Sequence, residues 1–136
     1  MKKNFGLLAY MTILAIGLAF CSSAAIAAER SQAADSYVLH KVFKDNPFAA
    51  EEKFKGQRIV VKGPVKKIGR GFGGQPEISI EGNKGNPFDT FECEFDLSLA
   101  STIAKVNKGD TIYLDCILKK ASGAVVRLTD CKFVDD

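Results

Sequence analysis

The chain has 136 residues, of which 46% are hydrophobic, and a formal net charge of +3. This length fits one domain with a single core, and the sequence contains no internal repeat, long linker or low-complexity tract apart from one glycine cluster. Lys2 and Lys3 contribute two of the three net charges, so net charge alone does not indicate a nucleic-acid partner.

Residues 1–27 predict a secretory signal peptide. Lys2 and Lys3 precede an apolar stretch from Phe5 to Phe20, and small residues ending in Ala25-Ile26-Ala27 suit a cleavage site beside Ala28. The alternative is a retained membrane anchor. It is disfavoured because sixteen helical residues rise only about 24 Å, less than the roughly 30 Å hydrocarbon core.

Cys21 raises a second alternative, a lipoprotein whose processed chain starts at that cysteine. Phe20 fits poorly there, because a small residue normally precedes a lipidated cysteine. We therefore expect an exported, periplasmic protein without a membrane span after cleavage, and lipid anchoring through Cys21 is the less favoured reading.

Charge is polarised along the chain. Residues 41–74 contain nine basic and three acidic side chains, a balance of +6, whereas residues 75–136 contain seven basic and eleven acidic ones, a balance of −4. The basic residues are therefore concentrated in the first of these two segments, and the chain is not basic throughout.

The first structured segment is predicted to be helical. Leu39, Val42 and Phe43 lie at helical spacing, and either Asp35 or Ser36 can cap the helix N-terminus.

A second helical segment follows at once. Asn46 suits the cap position, Pro47 the first helical position and Gly56 the left-handed residue beyond the end. Phe48 and Phe54 are expected to face the core.

From Arg58 onward the hydrophobic period changes to two, which predicts strands. Gly63-Pro64 marks a bend or bulge in the first strand. The expected inward residues are Ile59, Val61 and Val65 in the first strand, Ile78 and Ile80 in the second, and Phe91, Cys93 and Phe95 in the third.

A helix is predicted within residues 97–109, with Gly109 as its stop, and the last two strands form a hairpin around Ala121-Ser122-Gly123. Five strands with a helix between the third and fourth indicate a mainly β OB-fold barrel. We expect one domain over 28–136, with a helical lead-in at about 36–55 and the barrel at about 57–134. An unrelated five-stranded meander is the alternative.

The sequence also resembles the tRNA-anticodon-like family of OB-folds, which are small bacterial proteins, often exported. The resemblance lies in "NPFAAEEKFKGQRIVVKGPVKKIG", "FECEF", "KGDTIYLDC" and "VRLTDCKF", and it covers about 38–134. Asn46, Ala50, Phe54 and Gly56 match the family pattern, while Gln57 stands where lysine is common. These motifs are structural, so the resemblance implies the fold and leaves the function open.

The cluster Gly69-Arg70-Gly71-Phe72-Gly73-Gly74 has the letters of a phosphate-binding loop. A strand follows it, however, whereas such loops need a helix N-terminus. The remaining readings are an arginine–glycine nucleic-acid segment, with Arg70 on phosphate and Phe72 stacked on a base, and a mobile loop between two strands.

In an OB-fold this loop is one rim of the usual ligand groove, and the loop between the last two strands is the other. Here the second rim would carry Lys119 and Lys120. We therefore expect a groove that binds an anionic or sugar-containing ligand, and the candidate contacts are Arg70, Phe72, Lys119 and Lys120, supported by Lys66 and Lys67.

The three cysteines beyond the signal predict one disulfide and one buried thiol, Cys93. Cys116 and Cys131 lie opposite each other in the last hairpin, but simple alternation puts Cys131 out of phase with Leu128. A bulge near Asp130 would bring both cysteines to one face and allow the bond.

We expect no metal site and no cofactor, and we do not expect the protein to be an enzyme. The cysteines lack ligand spacing such as Cys-x-x-Cys, and the single histidine, His40, is expected on a helix surface. The sequence indicates a non-catalytic binding protein for a polyanion or an oligosaccharide, and export disfavours nucleic acid. The alternative is a protein-interaction factor, such as an inhibitor, immunity or envelope-assembly protein, that uses the barrel edges.

Overall fold

Five strands close into a barrel in the computed structural model, which describes residues 32–136. The signal peptide predicted at 1–27 and Cys21 lie outside these residues. The elements are β1 (Ala34–Asp35), α1 (Ser36–Asp45), α2 (Pro47–Phe54), β2 (Arg58–Arg70), β3 (Pro76–Glu81), β4 (Thr90–Glu94), a 3-10 turn (Leu97–Leu99), α3 (Ala100–Ile103), β5 (Thr111–Ala121) and β6 (Val125–Phe133).

The barrel strands follow the order β2-β3-β4-β6-β5, and β5 pairs back onto β2. The β4–β6 pair is parallel and the other four pairs are antiparallel, while the short β1 adds in parallel to β2. With a helix between β4 and β5, this is the OB-fold expected from the sequence, and the prediction of fold class is confirmed.

Strand β2 bends and pairs with a different strand on each side of the bend. Up to Pro64 it pairs with β5, from Val65 it pairs with β3, and a bulge separates Val65 from Lys67. A Cβ atom added at Gly63 would overlap the Ser36 hydroxyl and lie 2.6 Å from a methyl carbon of β3. The glycine at the predicted bend therefore lets α1 approach the barrel wall closely.

The core consists of the inward residues of the barrel and one face of α1. All eight strand residues predicted to point inward are 5% exposed or less. Phe43 of α1 meets Phe91 edge to face, with ring centroids 6.3 Å apart. Burial of a side chain as large as Phe43 contributes about 1.5–3 kcal/mol, so α1 is an integral part of the core.

Asp35 caps α1, because its carboxylate accepts hydrogen bonds from the backbone N–H groups of Tyr37 and Val38. Leu39 is buried as expected, whereas Val42 is exposed. Helix α1 therefore buries fewer apolar residues than the spacing of Leu39, Val42 and Phe43 predicts.

The expectation that His40 lies on the helix surface is wrong. Its side chain is 1% exposed, and its Nε2 donates to the carbonyl oxygen of Ala124 at 2.8 Å. His40 follows Ser36 by four residues and precedes Phe43 by three, so it shares their inward face. The hydrogen bond to Ala124 offsets the cost of burying a polar ring.

Helix α2 has the predicted ends. Asn46 caps it by accepting from a backbone N–H, Pro47 opens it, and Gly56 beyond it has φ +72°. The expectation that Phe48 faces the core is wrong, since this side chain is 83% exposed. The buried residue of α2 is Ala50, and a separation of two residues turns a helix by about 200°, so Phe48 points away.

The helix predicted within residues 97–109 is shorter than expected. Asp96 caps the 3-10 turn that leads into α3. The prediction that Gly109 stops the helix is wrong, because α3 ends at Ile103 and Gly109, with φ +88°, belongs to a separate turn before β5. Ile103 is buried, while Leu99 and Val106 pack against the core from its edge.

The disulfide between Cys116 and Cys131 forms as predicted. Between two flanking register pairs, β5 contributes one residue, Cys116, whereas β6 contributes two, Asp130 and Cys131. Asp130 has φ 50°, an uncommon conformation for a residue other than glycine. This is the bulge that the sequence pattern required, and it turns Cys131 into the core.

Among residues 32–136, none of the helices has the length and apolar character to cross a membrane.

Candidate ligand-binding face

The outward residues of β3 and β4 form a continuous polar surface beside the glycine-rich loop. Glu77 and Ser79 of β3 pair with Glu94 and Glu92 of β4, respectively. We call this surface, made by Glu77, Ser79, Glu92 and Glu94, the β3–β4 face. In OB-folds the corresponding face commonly receives the ligand.

Basic and amide groups balance the carboxylates of this face. Glu94 accepts hydrogen bonds from Lys119 Nζ and Gln75 Nε2, both at 3.1 Å. Glu92 forms an ion pair with Arg127, with Nη2 and Oε2 3.0 Å apart. The face therefore presents donors and acceptors side by side.

Glu77 has the least favourable surroundings on the face. Burial raises the pKa of its carboxyl group, the charges of Glu92 and Glu94 raise it further, and Arg127 and Lys67 lower it. Like charges opposite one another on neighbouring strands are destabilising. A ligand that donates hydrogen bonds to these carboxylates would therefore relieve the crowding.

The loop that joins β2 to β3 is a hydrogen-bonded turn. Arg70 Nη1 donates to the carbonyl oxygen of Gly74 at 2.7 Å, and Gly71 N–H donates to the carbonyl oxygen of Gln75 at 2.8 Å. Gly74 adopts φ +82°, which this closure requires. Phe72 lies at the turn with its ring fully exposed, so the loop offers an open apolar surface.

The two expected rims lie at opposite ends of the β3–β4 face. Gln75 lies beside Glu94 at the end of β4, whereas Ala124 is bonded to the N–H of Thr90, where β4 begins. The basic residues predicted for the second loop are part of β5, because pairing of β5 with β6 continues to Ala121. The loop itself is only residues 122–124.

The structure brings some of the six predicted residues to the face. Lys119 reaches Glu94, Lys67 pairs with Ser79, and Lys120 is paired with Arg127 on the neighbouring strand. Lys66 occupies the bulge of β2 and has no contact that links it to the face.

Sequence reasoning missed the acidic members of the face and Arg127. The alternation around Cys93 already indicated that Glu92 and Glu94 point outward, but outward charge is common on any strand. What distinguishes these carboxylates is their cross-strand neighbours, which the sequence does not show. Glu77 lies opposite Glu94 only because β3 and β4 pair.

A second concave surface lies between α1 and loop 82–89. Lys44 Nζ donates to Oδ2 of Asp89 at 2.6 Å, and Asn83 Nδ2 donates to the same oxygen at 3.1 Å. Burial raises the pKa of Asp89, but these hydrogen bonds outweigh burial and hold it below its usual value. His40 and Lys84 also line the hollow.

The residues best suited to nucleophilic or acid–base chemistry are buried. Burial raises the pKa of the Cys93 thiol well above its usual value, so it is not a reactive thiolate in the closed barrel. Cys93, Cys116 and Cys131 have their Sγ atoms within 4.8 Å of one another, a convergence that their sequence spacing does not reveal. Two of these sulfurs are joined in the disulfide.

The family model described as tRNA_anti-like matches residues 10–132. The chain belongs to the tRNA_anti-like family. The match spans all the barrel strands apart from the last residue of β6, and it confirms the resemblance seen in the sequence. No curated protein matches the chain.

Solved structures similar to this tRNA_anti-like chain share its fold. The crystal structure of a lipoprotein from Klebsiella pneumoniae subsp. pneumoniae, for which nucleic-acid binding has been suggested, covers 76% of this chain and 92% of its own, with 15% identity and a TM-score of 0.61. At this identity the likeness shows the fold alone.

Two OBody proteins, each solved bound to hen egg-white lysozyme, are more distant. AM3L09 covers 62% of this chain and 87% of its own at 15% identity, and its TM-score is 0.43. NL8 covers 59% and 97% at 16% identity, with the same TM-score.

Proposed function

We propose that this protein is an exported, non-catalytic OB-fold binding protein whose ligand is a sugar-containing molecule held on the β3–β4 face. The observation that carries the proposal is the double contact at Glu94. Gln75 of the glycine-rich turn and Lys119 of β5 both donate to this carboxylate, so the turn and the basic strand meet at one point of the face.

The mixture of groups favours an oligosaccharide over a linear polyanion. A hydroxyl group both donates and accepts hydrogen bonds, which matches a face where Glu77, Glu92 and Glu94 lie among Lys119 and Arg127. A phosphate chain offers acceptors alone and would meet three carboxylates. An exposed aromatic ring at Phe72 supplies a flat apolar surface against which a sugar ring can pack.

Arg70 and Lys67 complete the proposed site from the β2 side, with Lys66 and Lys120 at its margin. Arg70 closes the turn through Gly74 and therefore positions Phe72. Export is supported by the pattern of residues 1–27, and lipid attachment at Cys21 is the alternative for how the protein is retained.

The test is a binding screen of the chain without residues 1–27 against neutral and acidic oligosaccharides, with single-stranded RNA as a comparator. The Phe72→Ala and Lys119→Ala variants should each weaken binding of a captured oligosaccharide about tenfold, which corresponds to about 1.4 kcal/mol. Phe48→Ala and Lys108→Ala are matched controls, because both side chains are exposed and neither belongs to the proposed site, and they should bind normally.

Salt dependence separates the ligand classes. Oligosaccharide binding should change little between low and high salt, whereas binding of a polyanion should fall steeply. Capture of RNA alone, or oligosaccharide binding that survives loss of the Phe72 ring and the Lys119 ammonium, would reject the proposal.

The second candidate is a protein-interaction role, favoured by the exposed aromatic side chains Phe48 and Phe88. Strand addition at the barrel edge is poorly suited to it, because each of the five barrel strands described here pairs with two neighbours. A protein partner whose binding is lost in Phe48→Ser but kept in Phe72→Ala would support this candidate.

A further inference from the structure

Three cysteine sulfurs meet inside the barrel wall. Cys93, Cys116 and Cys131 come from β4, β5 and β6, and their Sγ atoms all lie within 4.8 Å of one another. Each side chain is at most 1% exposed. A free thiol beside a disulfide is the arrangement from which thiol–disulfide exchange proceeds.

Burial keeps this arrangement inactive while the barrel is closed. Exchange requires a thiolate, and burial raises the pKa of Cys93, with the charges of Glu77 and Glu92 adding to the shift. No water-accessible path brings a base to this sulfur, since the side chain is fully buried. Access to solvent must therefore precede any reaction.

The β4–β6 seam lies beside Cys93 and has the shortest register of the five barrel seams. Strands β4 and β6 form a parallel pair whose register runs from Thr90 to Cys93 on β4, and parallel pairing is slightly less stable per residue. The β5–β6 seam is longer and is reinforced by Arg58, which donates to the carboxylates of Asp115 and Asp130. Loosening of the β4–β6 seam would therefore admit solvent to Cys93 while β5 and β6 stay paired.

We propose that Cys93 is the internal exchange partner of the disulfide: when loosening of the β4–β6 seam admits solvent and Cys93 loses its proton, the Cys93 thiolate attacks Sγ of Cys131. A Cys93–Cys131 bond forms as the Cys116–Cys131 bond breaks. Cys93 loses its proton to solvent, and Cys116 leaves as a thiolate and takes up a proton. The numbers of disulfides and thiols are unchanged, so the step needs neither oxidant nor reductant.

Cys131 is the preferred point of attack because it lies on β6, the strand that pairs with β4 through Cys93 and Leu128. Cys116 lies one strand farther away in the barrel order. The exchange links β4 to β6 and releases the covalent tie of the β5–β6 hairpin. This hairpin carries Lys119 and Arg127, which form ion pairs with Glu94 and Glu92 of the β3–β4 face. Opening of the barrel thus changes the covalent state of that hairpin.

The test follows the disulfide partners in the full chain carrying Cys21→Ser, so that the remaining cysteine outside the barrel cannot interfere. The oxidised protein is held at about pH 8.5, near the ordinary thiol pKa, either at its midpoint of thermal unfolding or well below it. Samples are quenched in acid, alkylated and mapped as peptides without reduction. Rates at two protein concentrations identify intramolecular exchange.

At the midpoint, Cys93–Cys131 peptides should appear together with alkylated Cys116, at a rate independent of protein concentration, and should exceed Cys93–Cys116 peptides. A predominance of Cys93–Cys116 peptides, which random exchange in the unfolded chain favours because it closes the shorter loop, would overturn the proposal. Alkylation of Cys116 should be about tenfold greater than in Cys93→Ala, which lacks the attacking thiol. Cys93→Val fills the vacated volume and serves if the alanine variant fails to fold. Below the midpoint the native bond should persist. Recovery of Cys116–Cys131 alone, with Cys93 alkylated in the opened protein, would overturn the proposal.

Discussion

Replacement of Lys44 by methionine should destabilise the protein substantially, although Lys44 itself is half exposed. Its ammonium group neutralises Asp89, whose side chain is completely buried. Methionine keeps the apolar stem and removes the charge, which leaves a buried carboxylate with Asn83 as its remaining donor. Loss of one partner from a buried pair costs about 3–5 kcal/mol. Because Lys44 keeps contact with water, we expect about 2–3 kcal/mol, measured by urea denaturation near neutral pH.

The destabilisation should shrink in acid. The folded-state pKa of Asp89 lies below its usual value. In the parent protein, the ionised Asp89 carboxylate therefore stabilises the fold above the unfolded-state pKa, and this stabilisation is lost as pH falls through the folded-state pKa. Without Lys44, burial should raise the pKa of Asp89, so the variant regains stability as pH falls. The difference in free energy of unfolding should therefore be largest near pH 7, and it should shrink as pH falls below about 4 toward the folded-state pKa of the parent.

Lys41→Met is the matched control on the same helix. Lys41 forms an exposed ion pair with Asp45, and such pairs contribute between about 0 and 1 kcal/mol. His40, which also lowers the pKa of Asp89, is retained in both variants. Equal effects of the two substitutions, or a Lys44→Met effect that does not change with pH, would refute this account of Asp89.

Three further predictions concern the packing and the disulfide. Gly63→Ala should lower the free energy of unfolding by about 2–3 kcal/mol, because the new methyl group would overlap the hydroxyl group of Ser36. Gly69→Ala in the same strand is the control: the nearest atom to its added methyl group lies 3.9 Å away, so thermal stability should change little. The double variant Cys116→Ala, Cys131→Ala should lose about 3 kcal/mol of unfolding free energy in urea denaturation, given a sequence separation of 15. A loss below about 1 kcal/mol would contradict a stabilising role of the disulfide. Phe48→Ser should leave the melting temperature unchanged because its ring is solvated.

The order of elements and the inward residues of the strands could be predicted because they depend on local periodicity. Alternation around Cys93 requires no knowledge of distant residues, and Gly56 follows α2 in the left-handed conformation expected of it. The bulge at Asp130 was predictable for a related reason: two cysteines that must bond cannot point to opposite faces.

The candidate face was predictable only in part. The sequence singled out Lys119 and Phe72, but it did not identify Glu94, because the residues that contact Glu94 lie 25 and 19 positions away. The same limit led to Phe48 being assigned to the core. A helix of eight residues has too few turns for spacing alone to identify its buried face.

Sequence by itself therefore determined the OB-fold, the ends of α2 and the pairing of Cys116 with Cys131. Tertiary structure alone decided that His40 is buried against Ala124 and that Cys93 lies beside the disulfide. The physical reason is that secondary structure follows from interactions between near neighbours, whereas burial and proximity depend on which strands close the barrel and what then covers them.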